Sequence, residues 1–215
     1  MLDLNDKENI IFDLGGVLLN IDYELTAKAF KKLGLSSFDD LYSQKRQTGL
    51  FDQFEKGKIT KKTFLSELTE VIPEASEEDV IAAWNAMLLD LPQHRIELLM
   101  ELGKAFRIFL LSNTNEIHEA AFLKIIDQNY PENVLYNSFE RVYLSHRIGF
   151  RKPDRECFQL VLDENGLAAE KTIFIDDSIQ HIEGAQSAGI TAVHLERHVD
   201  VSQLFADRFP QASRL

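Results

Sequence analysis

Four separate stretches carry the side chains from which chemistry could be built: Asp13, Ser112 to Asn115, Lys152, and the pair Asp176-Asp177. Asp13, Ser112 and Asp176 each close an apolar run, namely Ile10-Ile11-Phe12, Phe106 to Leu111, and Ile173-Phe174-Ile175. Nearly continuous apolar runs of this length suit strands buried on both faces of a parallel sheet. In open α/β sheets, ligands bind beyond the carboxyl ends of the strands. Right-handed crossovers point those ends the same way, so the three positions are expected to converge. Convergent carboxylates need a cation or a proton among them. Asp13 with Asp176 and Asp177 would be a hard, oxygen-rich set that suits Mg²⁺. Lys152 precedes Pro153 at the expected start of a helix, where its charge and the local amides both favour an anion. Each feature alone has a plainer explanation, because Asp, Ser and Asn are common turn and cap residues and lysines are mostly solvated. Their joint occurrence, in order and at strand ends, is what points to a site.

The elements that must position these residues follow the same punctuation. Strands are expected over 9–13, 106–111, 142–145, 171–175 and 190–195. Helices are expected over 92–104, 116–128, 153–165 and 178–188, with Gly166 and Gly189 closing the last two. Between Tyr23 and Leu91, residues such as Leu25, Phe30, Phe51, Phe54, Phe64, Leu68 and Trp84 recur at helical spacing among Lys and Glu. This is a helical unit inserted after the first strand. The alternation of strand and helix elsewhere predicts a Rossmann-like α/β core with a parallel sheet, built from residues 1–18 and 90–215. Residues 19–89 form the inserted helical domain.

Composition narrows the partners. The chain has 215 residues, 45% hydrophobic and 27% charged, which is ordinary globular composition. Its net charge of −12 gives no long-range attraction to nucleic acid or to an anionic membrane, so neither is expected as a partner. Cys157 is the single cysteine, so no intrachain disulfide is possible. It falls on an apolar helical face with Phe158 and Val161 and is expected in the core. No apolar run reaches the length of a membrane span, the polar start does not look like a signal peptide, and a cytoplasmic location is expected. His194 and His198 share a four-residue spacing, but His194 falls in a strand pattern and no third ligand accompanies them, so zinc is not expected.

Taken together, Ile11-Phe12-Asp13-Leu14-Gly15-Gly16-Val17-Leu18, Leu110-Leu111-Ser112-Asn113, Gly149-Phe150-Arg151-Lys152-Pro153 and Phe174-Ile175-Asp176-Asp177 resemble the four ordered motifs of the haloacid dehalogenase superfamily. The resemblance covers nearly the whole chain. The Asp-Leu-Gly-Gly-Val start, Phe54 to Ile59, Ser112-Asn113-Thr114-Asn115 and Tyr143-Leu144-Ser145 are similar to a phosphatase subgroup whose better-known members act on small sugar phosphates such as α-glucose 1-phosphate. The resemblance implies that the helical insertion is a type-1 cap. It implies Asp13 as a nucleophile that forms an aspartyl-phosphate. It implies Mg²⁺ held by Asp13, the backbone carbonyl of Gly15 and Asp177, with Asp176 adjacent or bridging through water. Ser112 and the amide of Asn113 would hold phosphoryl oxygens, and Lys152 would stabilise charge in the transition state. Reading the rest of a small phosphorylated metabolite would fall to the cap between Tyr42 and Lys58, where Arg46, Gln47, Gln53, Glu55, Lys56 and Lys58 are the polar candidates. Gly16 would let the backbone approach the phosphate.

The sequence departs from the family pattern at Gly15, where most family phosphatases carry a second Asp as general acid and base. General acid–base help is worth about 10²–10⁴-fold. Asp22 is the nearest acidic substitute, although its place suits a hinge or helix cap better. The departure leaves a second expectation open, a phosphate-binding regulatory protein with vestigial catalysis. The paired Asp176-Asp177 speaks for metal and against a metal-free dehalogenase.

Overall fold

Residues 2–35, 38 and 49–206 are described in the computed structural model. Among them the apolar runs form one parallel sheet of five strands: β1 (Asn9–Phe12), β2 (Arg107–Ser112), β3 (Arg141–Leu144), β4 (Thr172–Asp176) and β5 (Thr191–His194). Their order is β3-β2-β1-β4-β5, so the chain builds outward from β1 to one side and then to the other. Such reversals leave a crevice beyond the carboxyl ends of the strands. Phe12 pairs with Leu110 on one side and with Ile175 on the other. That register brings Asp13, Ser112 and Asp176 to one edge of the sheet.

Both faces of the sheet are covered, which is why the strands are apolar throughout rather than alternating. On one face Ile10, Phe12, Ile108 and Leu110 pack with Leu98, Leu99, Phe122 and Phe205. On the other, Ile11, Phe109 and Phe174 pack with Cys157, Phe158, Val161, Ile182 and Ala185.

Among the described residues after β1 come α1 (Tyr23–Lys32), α2 (Gly49–Glu55), α3 (Lys61–Val71) and α4 (Glu77–Asn85). These helices gather around an apolar cluster of their own, including Phe30, Phe51, Phe54, Phe64, Leu68 and Trp84. Asp22, Thr60 and Ser76 cap α1, α3 and α4 through their side chains. The acidic start of α4 completes a capping box, with Ser76 and Asp79 bonding each other's backbone amides. The two lengths of chain that join this unit to the sheet lie side by side. Asn20 N donates to Asp90 O at 2.8 Å, Leu89 N to Asn20 O at 3.0 Å, and Asp22 N to Met87 O at 2.9 Å.

The other α-helices among the described residues are α5 (Gln93–Leu102), α6 (Glu116–Asp127), α7 (Val134–Asn137), α8 (Ser145–Ile148), α9 (Arg155–Asn165) and α10 (Ile179–Ser187). One expectation is corrected here. The helix expected from Pro153 begins at Arg155 with Asp154 as its cap, so Lys152 lies further from the first turn than the sequence implied. The short α7 and α8 carry too few residues to show a period. No helix among the described residues is long and apolar enough to cross a membrane.

Candidate active site

Beyond the carboxyl edge of the sheet lies a cavity of about 80 Å³. Asp13, Gly15, Ser112, Asn113, Thr114 and Asp177 line it from the strand ends, while Tyr23, Glu55 and Met87 line it from the helical unit. His118, Arg151 and His181 complete its polar wall.

Asp13, Asp176 and Asp177 each present a carboxylate oxygen, and these oxygens lie within 4.8 Å of one another. Lys152 is fully buried, with Nζ 2.8 Å from Asp13 Oδ1 and 2.6 Å from Asp176 Oδ2. Burial works against the lysine charge, but the two carboxylates overcome it and hold its pKa above the ordinary lysine value. Burial pushes the Asp13 carboxyl up to about 6, against the pull of Lys152 and His181 and with the push of Asp176. Asp176 is also penalised by burial, yet Lys152 and His181 bring it down to about 2. It therefore stays ionised and serves as the fixed counter-charge of Lys152. A carboxylate set of this kind fits a hard divalent cation, whose charge would favour the ionised form of all three.

The loops around these groups are braced by side chains. Asn113 Nδ2 donates to the Lys152 carbonyl at 2.9 Å, and Lys152 N donates back to Asn113 Oδ1 at 2.9 Å. The Asn113 side chain therefore positions the lysine backbone. Ser145 Oγ accepts from Thr114 N and donates to Thr114 O, both at 2.9 Å. Asn115 caps α6 by accepting from Ile117 N and His118 N. Ser178 N donates to Asp176 Oδ1 at 2.8 Å, and His194 Nε2 lies 3.0 Å from the Asp177 carbonyl. His194 thus steadies this loop. Gly16 has φ +79, and a Cβ there would lie 2.5 Å from Asp177 Oδ2. Its close approach is to that carboxylate.

A family model of haloacid dehalogenase-like hydrolases matches residues 7–189. The chain belongs to that family. It is 29% identical over 199 residues to the D-ribitol-5-phosphate phosphatase of Bacteroides thetaiotaomicron, covering 91% of this chain and 95% of that protein. A HAD family enzyme from Bacteroides thetaiotaomicron, solved with magnesium and inorganic phosphate, superposes with a TM-score of 0.83 at 35% identity, covering 93% of this chain and 99% of that one. A predicted HAD-like family hydrolase from Porphyromonas gingivalis superposes with a TM-score of 0.82 at 27% identity over 97% and 98% of the two chains.

In this haloacid dehalogenase-like hydrolase, Asp13, Gly15, Ser112, Asn113, Asp176, Asp177 and Lys152 all lie at or beside the one cavity. Of the polar candidates on the helical unit, Glu55 lines it, while Gln53, Lys56 and Lys58 do not. Gln53 is exposed, and Lys56 pairs with Asp52 at 3.3 Å and Asp154 at 3.4 Å. Arg46 and Gln47 lie outside the described residues. Asp22 does not line the cavity, and its carboxylate accepts from Glu24 N at 2.9 Å as the cap of α1.

Sequence reasoning did not single out Tyr23, Arg151, His118 or His181. Arg151 reaches from the loop before Lys152 to the helical unit, pairing with Glu55 at 3.0 Å and Asp52 at 3.4 Å. His181 Nδ1 lies 2.9 Å from Asp176 Oδ1. Its one signal was its place in the first turns of the helix after Asp176-Asp177, where a side chain can fold back toward the strand end.

Proposed function

We propose that this hydrolase cleaves small polyol or sugar phosphate monoesters by way of an aspartyl-phosphate on Asp13. It is a phosphoric monoester hydrolase with Mg²⁺ as its cofactor. The observation that carries the mechanism is the packing of three carboxylates within 4.8 Å of one another, with the Lys152 ammonium between two of them. A carboxylate needs no general base to attack phosphorus, since it is already the nucleophilic form at neutral pH. Asp13 would displace the alcohol, and water would then cleave the acyl-phosphate to free phosphate and Asp13. Asp13, Asp177 and the Gly15 carbonyl would hold Mg²⁺ with Asp176 beside them, and the ion would offset repulsion between nucleophile and substrate. Ser112 and the Asn113 amide would hold phosphoryl oxygens. Lys152 would hold positive charge where the transition state spreads negative charge over the equatorial oxygens.

Support for the substrate class comes from the ribitol phosphate phosphatase that this chain resembles and from the mixed polar and apolar wall of the cavity. In this reading residues 1–18 and 90–215 are the catalytic core, and residues 19–89 are the cap that covers it. The test measures phosphate release from polyol and sugar phosphates with Mg²⁺ and after chelation. Turnover that disappears on chelation, with label from radioactive substrate trapped on Asp13 by acid quench, is expected. Phosphate binding without release from any of these esters would favour the regulatory alternative.

A further inference from the structure

Among the described residues lining the cavity, His118 Nε2 and Arg151 Nε are buried atoms with no hydrogen-bond partner, while Glu55 Oε2 has the Arg151 ion pair. The Arg151 guanidinium is otherwise committed to Glu55 and Asp52. His118 is different. Its ring stacks on Trp84 of the helical unit, with centroids 4.6 Å apart and planes 19° apart. Its Nδ1 lies 2.9 Å from Asn85 Oδ1, at the end of α4. A carbonyl oxygen only accepts, so Nδ1 carries the proton and Nε2 is left with a bare lone pair. Burial holds the ring neutral, with its pKa pushed down to about 3.

A buried lone pair without a donor is costly, so the atom is poised for a ligand that brings a proton to share. The phosphate end of a substrate cannot serve, because its oxygens are anionic acceptors. A hydroxyl can. We propose that His118 Nε2 accepts a hydrogen bond from a hydroxyl on the organic part of the substrate, which makes His118 a specificity-determining residue for hydroxylated phosphate esters. The inference rests on the phosphatase reading above. It also gives the helical unit a part in selection, because Asn85 fixes the tautomer. A site built to bond a hydroxyl rejects an analogue that lacks it.

The test compares a five-carbon polyol phosphate with n-pentyl phosphate, through the ratio of their kcat/KM values. Wild-type enzyme should prefer the polyol ester. His118→Leu should lower that ratio at least about tenfold, mainly through KM of the polyol ester, and His118→Gln, whose amide oxygen still accepts, should restore much of it. Wild-type enzyme with no preference for the polyol would overturn both the substrate class and this assignment. A preference that His118→Leu leaves unchanged would overturn the assignment alone. Should the leucine variant fail to fold, ¹⁵N spectra of the histidines in Asp13→Asn decide the matter. The unprotonated His118 Nε2 resonance should shift on adding the polyol phosphate and stay in place with pentyl phosphate; equal response to both esters would count against the proposal.

Discussion

At Asp13, replacement by Asn keeps the shape and removes the proposed nucleophile together with one of the proposed Mg²⁺ ligands. Lys152 keeps its 2.6 Å bond to Asp176. Turnover should vanish while thermal unfolding stays close to wild type; wild-type phosphate release would refute the role. Gly16→Ala drives a methyl group to within 2.5 Å of Asp177 Oδ2, at a φ of +79 that disfavours any side chain. If Asp177 is the Mg²⁺ ligand proposed above, affinity measured by calorimetry falls by roughly 10–100-fold, the usual cost of disturbing what orients a ligand; unchanged affinity would count against that role. Gly15 leaves no carboxylate to protonate the leaving oxygen, and Asp22 is spent on a helix cap. Rates should therefore fall steeply as the leaving-group pKa rises. A Cβ at Gly15 would meet Ile21 Cδ1 at 3.0 Å, so Gly15→Asp needs the Ile21 side chain to yield and is best made with Ile21→Val. The double variant should flatten the dependence; a flat wild-type plot under rate-limiting chemistry would mean another group supplies the proton. Asp13, Ser112 and Asp176-Asp177 were legible because each ends an apolar strand and the sheet order brings such ends together. Arg151, His118 and His181 were not, because a charged or polar residue on a helix or loop reads as solvated until packing shows what it faces.

The seam between α6 and α4 carries an electrostatic consequence. His118 is neutral in the folded protein, with its pKa near 3, against the ordinary 6.5 of an unfolded chain. A folded pKa below the unfolded value means the unfolded state binds the extra proton. The stability this confers is complete above about pH 6.5, in line with the unfolded histidine pKa, and drains away as pH falls toward the folded value. Denaturant titrations should show His118→Gln losing up to ~1.4 kcal/mol less per pH unit than wild type across that window. Asp200, held below the carboxylate range against burial by His94, Ser202 and Arg95, adds an acid sensitivity of its own that both proteins share. Equal slopes would show that His118 titrates normally. Element types were readable at this scale. Apolar runs too short to be helices became β1 to β5, and the 3.6-residue period gave the long helices. Pro153 misled, because proline at a first helical turn is common but here it precedes the turn. The four-residue α7 and α8 span barely one turn each, too little for a period to register.

Among the described residues the apolar side chains form two bodies, the covered sheet and the helical unit, and the candidate cavity lies where they meet. The sequence texture changes after β1 and again near Pro92, and the helices between these points share an apolar cluster of their own. Texture could not show how the two bodies meet, because that depends on a few polar contacts between residues far apart in the chain. Among the described residues those contacts include Arg151 with Glu55 and Asp52, Lys56 with Asp154, His118 with Asn85, and the Lys61 amide with Glu116. A cavity of about 80 Å³ between the bodies leaves little room for a phosphorylated polyol to enter. We therefore expect the helical unit to swing on the paired segments around Asn20 and Leu89, since hinges sit at such element-terminal positions. Gly57 gives a handle on closure. Its φ is +62, and a Cβ there would lie 2.2 Å from the His146 carbonyl oxygen across the seam. Gly57→Ala should hold the two bodies apart, lower kcat and raise the radius of gyration in solution scattering. Backbone strain alone is controlled by Gly34→Ala, where φ is +99 and nothing lies within 4 Å of the added carbon. That variant should lose some stability but keep wild-type scattering and turnover. If Gly57→Ala behaves like Gly34→Ala, contact at Gly57 does not govern closure; if only Gly57→Ala opens and slows the enzyme, the seam is the moving part.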